Sequence, residues 1–265
     1  MPLVLHNSYN ARLRAPNLYA DARRRGAWRV DDVVAALDQP GLDSEWAQWA
    51  WRMTSSSVYA EQTGMAVAAS LLADVDDLGA RFCLATAVSD EAKHTEVFLR
   101  AATILGGGVL PVKTNAEQAY RQLASLDDWM DRFVVHTMLE GFAMDEFALF
   151  MRALSSSPVE QVYAHVRSDE RAHVAMGLDY LRLRLPDPAF GGTRDRFAEL
   201  ESFAFRVGGV NDTFFDYLAP VTGLSPEQFQ ARFLRRHRRR FQRVMRGGDD
   251  HALRRRGAAS SQQAP

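Results

Sequence analysis

Four long stretches of the chain place apolar residues at the three- and four-residue spacing of amphipathic helices. They span Asp43–Ala73, Asp77–Leu105, Asp127–Leu154 and Ser157–Leu185. No stretch alternates apolar and polar residues in the manner of a half-buried strand. The pattern therefore predicts an all-α fold in which four long helices form a bundle, with additional N- and C-terminal helices around it.

Glycine, proline and capping patterns set the predicted helix ends. Gly106-Gly107-Gly108 is followed by Pro111 and predicts the end of the second helix. The segments Ser157-Pro158-Val159-Glu160 and Ser225-Pro226-Glu227-Gln228 are capping-box patterns. They predict the start of the fourth helix and of a later basic helix. Shorter helices are predicted at Ala116–Leu123, Arg194–Arg206 and Asn211–Leu218.

The length of 265 residues favours one large domain with a buried core. We assign it to residues 1–247, with the bundle at about residues 43–186. The last residues, 248–265, begin at the second glycine of the pair Gly247-Gly248 and are rich in small and polar side chains. They are predicted to be a disordered tail.

Cysteine content and hydropathy indicate the compartment. Cys83 is the only cysteine, which excludes an internal disulfide and a cysteine-based metal site within one chain. No apolar run approaches the roughly 20 residues that a membrane helix needs, and the amino terminus lacks a signal-peptide pattern. We therefore expect a cytoplasmic protein that does not enter a membrane.

The net charge of −1 hides an uneven distribution of charge along the chain. Residues 226–265 contain 11 Arg and 3 acidic residues, so the body is acidic and the tail is basic. Such runs are usually solvated helix faces, although an acidic partner protein is compatible with them. The body offers no matching basic groove, and nucleic-acid binding is not expected.

Two copies of the motif Asp-Glu-x-x-His occur in two of the predicted helices. They are Asp90-Glu91-Ala-Lys-His94 and Asp169-Glu170-Arg-Ala-His173. A lone glutamate precedes each motif glutamate by 30 residues, Glu61 in the first half and Glu140 in the second. The composition would give only about 0.3 Glu-x-x-His pairs by chance. The repeat therefore indicates two related helix pairs.

Metal binding explains why glutamate and histidine recur at this spacing. Residues three apart on a helix share a face, so each motif can direct a carboxylate and an imidazole at one point. Two such helices, with a glutamate from each of two others, supply the ligands of ferritin-like di-iron and di-manganese bundles. Four carboxylates offset two divalent charges, and imidazole suits iron better than magnesium or calcium. The predicted ligands of two iron ions are Glu61, Glu91, His94, Glu140, Glu170 and His173.

Three more residues lie next to these predicted ligands. Asp90 and Asp169 come one turn before the motif histidines, where each can hydrogen-bond the imidazole of the facing helix. His136 lies one turn before Glu140 and on the same face. Its interpretation stays open between a seventh ligand, a hydrogen-bonding neighbour of the ligands and a packed histidine.

The whole pattern resembles the ferritin-like di-iron oxygenases, and is most similar to the arylamine N-oxygenases and the acyl-carrier-protein desaturases. The resemblance covers about residues 43–186, and its motifs are specific for the metal site rather than for the substrate. It implies that Glu91 and Glu170 bridge two irons, that Glu61 and Glu140 bind terminally, and that each motif histidine binds one iron. It also implies that dioxygen, activated at the irons, oxidises a bound substrate.

Some positions depart from the relatives of this type. Val166 occupies the place of an extra histidine ligand in the N-oxygenases, with His165 beside it and off the face. Phe98 occupies the place of a tyrosine in radical-generating ribonucleotide reductase subunits, which excludes a tyrosyl radical there. Ala143 and Met144 stand where multicomponent hydroxylases and desaturases often have a threonine.

The expected function is oxidation of a small organic molecule, with N-oxygenation of an amine as the first reaction to test. Hydroxylation, desaturation and aldehyde deformylation use the same kind of centre. No flavin, nicotinamide or iron–sulfur motif is apparent, so an external reductase or ferredoxin is the expected electron donor. Ser57 and Gly64, one turn on either side of Glu61, are expected to leave room for substrate. A homodimer is expected from base rates alone.

Two other classes of function stay open. A ferroxidase or peroxide scavenger of the ferritin or rubrerythrin kind is usually little more than the bundle, whereas this chain adds about 80 residues after the fourth helix. A metal-stabilised binding module without turnover would need a site that is closed to solvent.

Overall fold

Every regular element is helical in the residues that the structure describes. A computed structural model describes residues 15–38, 44–75, 77–111, 121–208 and 222–260. The predicted helix at Asn211–Leu218 and most of the one at Ala116–Leu123 lie outside these residues. The prediction of an all-α fold is confirmed.

Four long helices coincide with the four predicted ones to within two residues at each end. The described helices are α1 (Ala15–Arg25), α2 (Val30–Ala35), α3 (Ser44–Asp74), α4 (Leu78–Gly106), α5 (Trp129–Ala153), α6 (Pro158–Arg184), α7 (Gly191–Asp195), α8 (Phe197–Val207) and α9 (Pro226–Ser260). Two short 3₁₀ turns cover Ala36–Asp38 and Pro188–Phe190.

Helices α3 to α6 form the bundle as two hairpins. The first hairpin is α3 with α4 and the second is α5 with α6, while α3 also packs on α5 and α4 on α6. Arg132 near the start of α5 pairs with Asp74 at the end of α3. Arg184 at the end of α6 lies 3.0 Å from Asp77, the N-cap of α4. Each of these two contacts joins the start of one helix to the end of the helix beside it, so neighbouring helices of the bundle are antiparallel. Helices α4 and α5 therefore begin at the same end of the bundle, and the chain crosses the length of the bundle between them.

The core of the bundle contains a layer of aromatic side chains around one buried tyrosine. The ring of Tyr163 lies 5.1 Å from Phe98, 5.5 Å from Phe147 and 5.1 Å from Phe150, measured between ring centroids. Such tilted and edge-on pairs each contribute about 0.5–1.5 kcal/mol beyond the area that they bury. This layer closes the bundle on one side of the motif residues.

Two of the predicted helix ends are confirmed by their capping geometry. Gly107 ends α4 with a φ of 81° and donates its N–H to the carbonyl of Thr103 at 2.8 Å. Ser225 and Gln228 exchange bonds at the start of α9, because each backbone N–H donates to the other's side chain, at 3.0 and 3.3 Å. The left-handed conformation explains why glycine ends α4.

The predicted capping box at the start of α6 is wrong in its details. Ser157 is the N-cap residue but its side chain makes no capping hydrogen bond. Glu160 instead accepts the N–H of Ser156 at 2.8 Å. Ser156 has a φ of 71°, and this turn brings its N–H within reach of Glu160. Proline at the first helical position still accounts for the start of the helix.

Additional helices cover the outside of the bundle. Helix α1 lies across α4 and α6, while α8 packs on α5 and α9 packs on α5 and α6. Helix α9 continues to Ser260, whereas the sequence predicts disorder from residue 248. Glycine costs only about 1 kcal/mol relative to alanine within a helix, and the following residues are rich in the good helix formers arginine, alanine and leucine. Among the described residues, no helix has the length and apolar character to cross a membrane.

Candidate metal centre

The six predicted ligand residues meet in one buried layer of the bundle. None is more than 6% exposed. They come from all four long helices and are Glu61 on α3, Glu91 and His94 on α4, Glu140 on α5, and Glu170 and His173 on α6. The spacing of three residues within each motif places its glutamate and histidine on the same inward face.

These residues form two overlapping groups, each of the size that holds one metal ion. The first group is Glu61, Glu91, His94 and Glu170, and the second is Glu91, Glu140, Glu170 and His173. Within each group, one ligand atom per residue lies within 4.8 Å of all the others. Glu91 and Glu170 belong to both groups, so they lie where they can join two neighbouring ions.

Each histidine turns its Nδ1 atom towards the carboxylates. His94 Nδ1 lies 3.0 Å from Glu61 Oε2 and 3.3 Å from Glu170 Oε1. His173 Nδ1 lies 3.3 Å from Glu140 Oε2 and 3.3 Å from Glu170 Oε2. The two halves of the sequence repeat therefore produce the same local geometry.

The opposite nitrogen of each ring contacts the aspartate of the other motif. His94 Nε2 lies 3.2 Å from Asp169 Oδ2, and His173 Nε2 lies 3.2 Å from Asp90 Oδ2. These are the contacts across helices expected from the spacing of the aspartates. A carboxylate that accepts the Nε2–H fixes the tautomer and leaves the Nδ1 lone pair for a metal.

Lys93 connects the two aspartates, a role that the sequence analysis missed. Its Nζ lies 3.2 Å from Asp90 Oδ1 and 2.9 Å from Asp169 Oδ2, and donates to the Gly26 carbonyl at 3.0 Å. It also lies 4.3 Å from the centre of the Trp28 ring, whose Nε1–H donates to Asp169 at 2.8 Å. One cation thus holds both motifs and the segment after α1 together.

The sequence signals for these two residues differ. Lys93 lies inside the first motif, where the second copy has Ala172, so this asymmetry of the repeat could have indicated it. Trp28 is 141 residues from Asp169 and belongs to no motif. Trp28 and Asp169 come together only because the segment after α1 packs on the bundle.

His136 contacts Glu140 rather than joining either four-residue group. Its Nδ1 lies 3.3 Å from Glu140 Oε1, and the residue is 6% exposed. Burial lowers the pKa of His136, with a further contribution from His173, although Glu140 opposes the shift. This placement favours a neutral imidazole packed beside Glu140, among the roles that the sequence left open.

Crowding of buried carboxylates raises the pKa of two of them. Burial raises the pKa of Glu170 to about 8, and the charge of Glu140 adds to the shift. Burial also raises the pKa of Glu91 well above its usual value, with repulsion from Glu61 and Glu170. Glu140 differs, because the neighbouring His136, Glu170 and His173 outweigh its burial and lower its pKa.

The histidines are drawn towards the charged form by the same carboxylates. Burial opposes a charge on His94, but Asp169, Glu170 and Glu61 outweigh it and raise its pKa well above the usual value. His173 shows the same balance. Burial works against the charge of Asp169 as well, yet His94 and Lys93 lower its pKa to about 2.

This donor set fits a pair of divalent cations. Four buried carboxylates and two imidazoles gather in a space where their negative charges repel, and two cations would relieve that repulsion. Mixed carboxylate and imidazole donors suit iron and manganese, whereas structural zinc sites favour tetrahedral Cys and His sets. The raised pKa values of Glu91 and Glu170 reflect the same repulsion that the cations would relieve.

The two small residues beside Glu61 do not open the space expected for a substrate. A Cβ atom on Gly64 would lie 2.7 Å from Glu91 Oε2, so the carboxylate of Glu91 fills that space. The Ser57 hydroxyl lies 3.2 Å from the Tyr163 hydroxyl inside the core. The expectation of substrate space at these two residues is therefore wrong.

Comparisons with known proteins identify a structural likeness. No protein-family model and no curated protein matches the chain. Two point variants of an R2-like ligand-binding oxidase with a reconstituted Mn/Fe cofactor each match with a TM-score of 0.62 and 19% identity, over 86% of this chain and 92% of theirs. Another variant of this oxidase, with an Fe/Fe cofactor, matches with a TM-score of 0.55 and 20% identity, over 88% of this chain and 90% of its own. At this identity the likeness shows the ferritin-like helical fold.

Proposed function

We propose that this chain binds two metal ions, with iron in at least one position, and activates dioxygen to oxidise a small organic substrate. The observation that carries the proposal is the pair of metal-sized groups that share Glu91 and Glu170. The Mn/Fe and Fe/Fe cofactors of the R2-like oxidases that share its fold support the choice of metals. Fold alone does not determine function, so the site has to carry the argument.

In this proposal, the six residues serve two metal positions. Glu61 and His94 would hold one ion and Glu140 and His173 the other, with Glu91 and Glu170 between them. Bound in this way, a pair of iron or manganese ions supplies electrons to dioxygen. The protein contributes a preformed, buried set of donors, which is what fixes coordination number and geometry in such enzymes.

The surrounding residues position the ligands and exclude water. Asp90 and Asp169 accept the Nε2–H groups, and Lys93 holds both aspartates in place. His136 lies beside Glu140, with its Nδ1 atom 3.3 Å from Glu140 Oε1. With the aromatic layer closing one side, bulk water is kept from the donors, and electrostatic interactions at the site are strengthened.

The substrate and the electron donor belong to the same proposal. N-oxygenation of an amine is the first reaction to test, with hydroxylation, desaturation and aldehyde deformylation alongside. An external reductase or ferredoxin would supply the electrons, because no flavin, nicotinamide or iron–sulfur motif is apparent in the sequence. Val166 occupies the position of a histidine ligand in the N-oxygenases. Amines should therefore be tested alongside substrates for hydroxylation, desaturation and deformylation.

Metal content is the first test. The protein is loaded anaerobically with Fe²⁺, with Mn²⁺ or with both, and bound metal is counted and its coupling examined by Mössbauer and EPR spectroscopy. We expect two coupled ions per chain, and loss of both in a Glu91→Ala, Glu170→Ala double variant. The matched control replaces two exposed glutamates, Glu96→Ala with Glu199→Ala. A wild-type protein that binds no metal pair would contradict the proposal.

Dioxygen consumption then separates the proposed oxidase from an iron-handling protein. The loaded protein is mixed with dioxygen under rapid-mixing optical detection, with and without a panel of amines, fatty acids and aldehydes. An oxidase shows a transient whose decay one substrate class accelerates. Continuous turnover of Fe²⁺ without any organic substrate, together with assembly into a cage, would favour a ferroxidase. Metal binding without dioxygen consumption would indicate a binding module.

A further inference from the structure

Four arginines gather on the outside of the bundle, where α5, α6 and α9 meet. Arg167 and Arg171 lie one turn apart on α6, and Arg236 and Arg240 lie one turn apart on α9. Residues four apart share a helix face, so each helix directs two guanidinium groups to the same side. The metal layer lies on the inner face of α6 and contains none of these four residues.

All three helices meet at one short segment of α5. Arg236 Nη1 lies 3.0 Å and Arg240 Nη2 lies 2.5 Å from Oδ1 of the buried Asp145. Arg167 donates its Nε–H to the carbonyl of the adjacent Met144 at 3.1 Å. The contacts fix three of the four arginines around residues 144–145.

The cluster carries more positive charge than its protein partners neutralise. Within the described part of the chain, Asp145 is the only carboxylate paired with any of the four, and Arg167 and Arg171 form no ion pair. Partial burial lowers the pKa of Arg167, and the nearby charges of Arg171 and Arg236 lower it further. The cluster therefore has an excess of three positive charges.

Two other partly buried arginines of the bundle are each paired with an acid. Arg132 pairs with Asp74, and Arg184 pairs with Asp77. Like charges held together in a partly buried position are unfavourable unless a counter-charge is present. An anion from solution would supply the counter-charge that the chain itself lacks at this cluster.

The unused hydrogen-bond donors suit an anion with several oxygen atoms. Each guanidinium has five N–H donors in a planar fork that matches phosphate geometry. Arg171 is exposed and the side chain of Arg236 is 39% exposed, so both can be reached from solvent. Arg240 Nη1 is buried and makes no hydrogen bond. Donors are therefore available both at the surface and beneath it.

We propose that Arg167, Arg171, Arg236 and Arg240 form a binding site for a phosphate-class oxyanion that links α9 to α6. The observations favour a small anion, because the cluster is compact, partly buried and drawn from two helices. A nucleic acid or an anionic membrane would instead use the exposed row of Arg235, Arg238 and Arg239 on the outer side of α9. Phosphate has the charge and the tetrahedral oxygens to accept from both helices at once.

Thermal unfolding of the full-length protein, as purified and after chelation of metals, tests the site. Inorganic phosphate is titrated against sodium chloride at matched ionic strength. Phosphate at 100 times its dissociation constant should raise the Tm by about 5 °C beyond the effect of chloride. The same rise in chloride alone would overturn the proposal.

Matched variants locate the effect. Arg171→Gln combined with Arg236→Gln should weaken phosphate binding at least tenfold by calorimetry, while Arg238→Gln combined with Arg239→Gln should leave it unchanged. Circular dichroism verifies that both variants are folded. Equal losses in the two variants would overturn the proposal, since they would indicate diffuse attraction to α9.

The source of the anion is distinguished by the ligand used. Comparable affinities for inorganic phosphate and for a simple phosphomonoester such as glycerol phosphate would support a site for the free ion. A phosphomonoester that binds at least tenfold more tightly would support a phosphorylated small molecule as the occupant. Binding of neither would overturn the proposal. Because these arms are also run on chelated protein, failure of the metal-centre proposal would not affect their outcome.

Discussion

Glu170 is a candidate metal ligand whose carboxyl group has a raised pKa in the metal-free protein. It belongs to both metal-sized groups, yet burial and the charge of Glu140 raise its pKa to about 8 in the metal-free protein. A carboxyl group with a raised folded-state pKa binds more protons in the folded than in the unfolded state between those two pKa values. Its contribution therefore makes the metal-free fold less stable as pH rises from about 4.5 to 8.

Replacing this carboxylate should separate stability from metal binding. Glu170→Gln cannot ionise, so we expect the metal-free variant to be more stable by about 1–3 kcal/mol at pH 7, with a smaller gain near pH 5. Metal affinity should fall sharply, because a carboxylate that belongs to both four-residue groups is lost. Urea unfolding at several pH values and metal titration measure the two effects. Exposed Glu96→Gln is the control, and a metal-free Glu170→Gln that is less stable than wild type would contradict the argument.

Gly64 leaves the space that the carboxylate of Glu91 occupies. A Cβ atom there would lie 2.7 Å from Glu91 Oε2, and Glu91 Oε1 lies 3.6 Å from His173 Nδ1 on α6. We expect Gly64→Ala to shift Glu91 and to reduce the number of bound metal ions, and its overpacking to cost about 1–3 kcal/mol. Gly192→Ala, whose added Cβ would meet nothing within 4 Å, is the matched control. Full metal binding in Gly64→Ala would show that Glu91 is free to move.

At the scale of helices, Lys93 makes one unit of the two motif helices and the segment after α1. Its ammonium bonds to Asp90 on α4, Asp169 on α6 and the Gly26 carbonyl, with only 17% of the side chain exposed. Lys93→Met keeps the length of the side chain but removes the cation. Because each aspartate orients a ligand imidazole, we expect metal affinity to fall about 10- to 100-fold.

The control for Lys93→Met is Arg100→Met on the same helix. It removes a cation that pairs with Asp31 and Glu96 at the surface. Surface pairs contribute little, about 0–1 kcal/mol, so metal affinity should not change. Competition with a coloured chelator measures both variants. Equal affinities for wild type and Lys93→Met would mean that the aspartates hold the imidazoles without the lysine.

The helices were largely predictable because local rules determine them. Apolar spacing gave the ends of α3 to α6 within two residues, and the three-residue spacing within each motif brought Glu91 and His94 to one inward face. The details at the ends were less predictable. Ser157 has the sequence of a capping box, but the turn at Ser156 redirects Glu160, and no pattern in the sequence signals a positive φ there.

Long-range packing explains what the sequence could not supply about the site. Trp28 donates to Asp169 across 141 residues, through a segment that has no motif. Gly64 looked like space for substrate, because a sequence does not show that the carboxylate of Glu91 lies beside it. The six predicted ligands came together because repeated helix pairs impose their own geometry, whereas these contacts depend on how the pairs and the outer helices meet.

For the whole molecule, metal binding and proton release should be one process. Burial opposes charge on His94 and His173, but the surrounding carboxylates raise the pKa of both, and burial raises the pKa of Glu91 and Glu170. These raised pKa values favour protons on the atoms that would bind metal. Cations can bind only as these protons leave, so affinity should increase as pH rises from about 6 to 8.

Isothermal titration calorimetry with Mn²⁺ in buffers of different ionisation enthalpy measures this release. The observed heat should vary with the buffer, with a slope of at least about one proton released per ion at pH 7. The Glu91→Ala, Glu170→Ala double variant, whose layer lacks both carboxylates shared by the two groups, should show neither the binding heat nor the slope. Wild-type heats that are independent of the buffer would contradict this prediction, since they would mean that the layer is already deprotonated at pH 7.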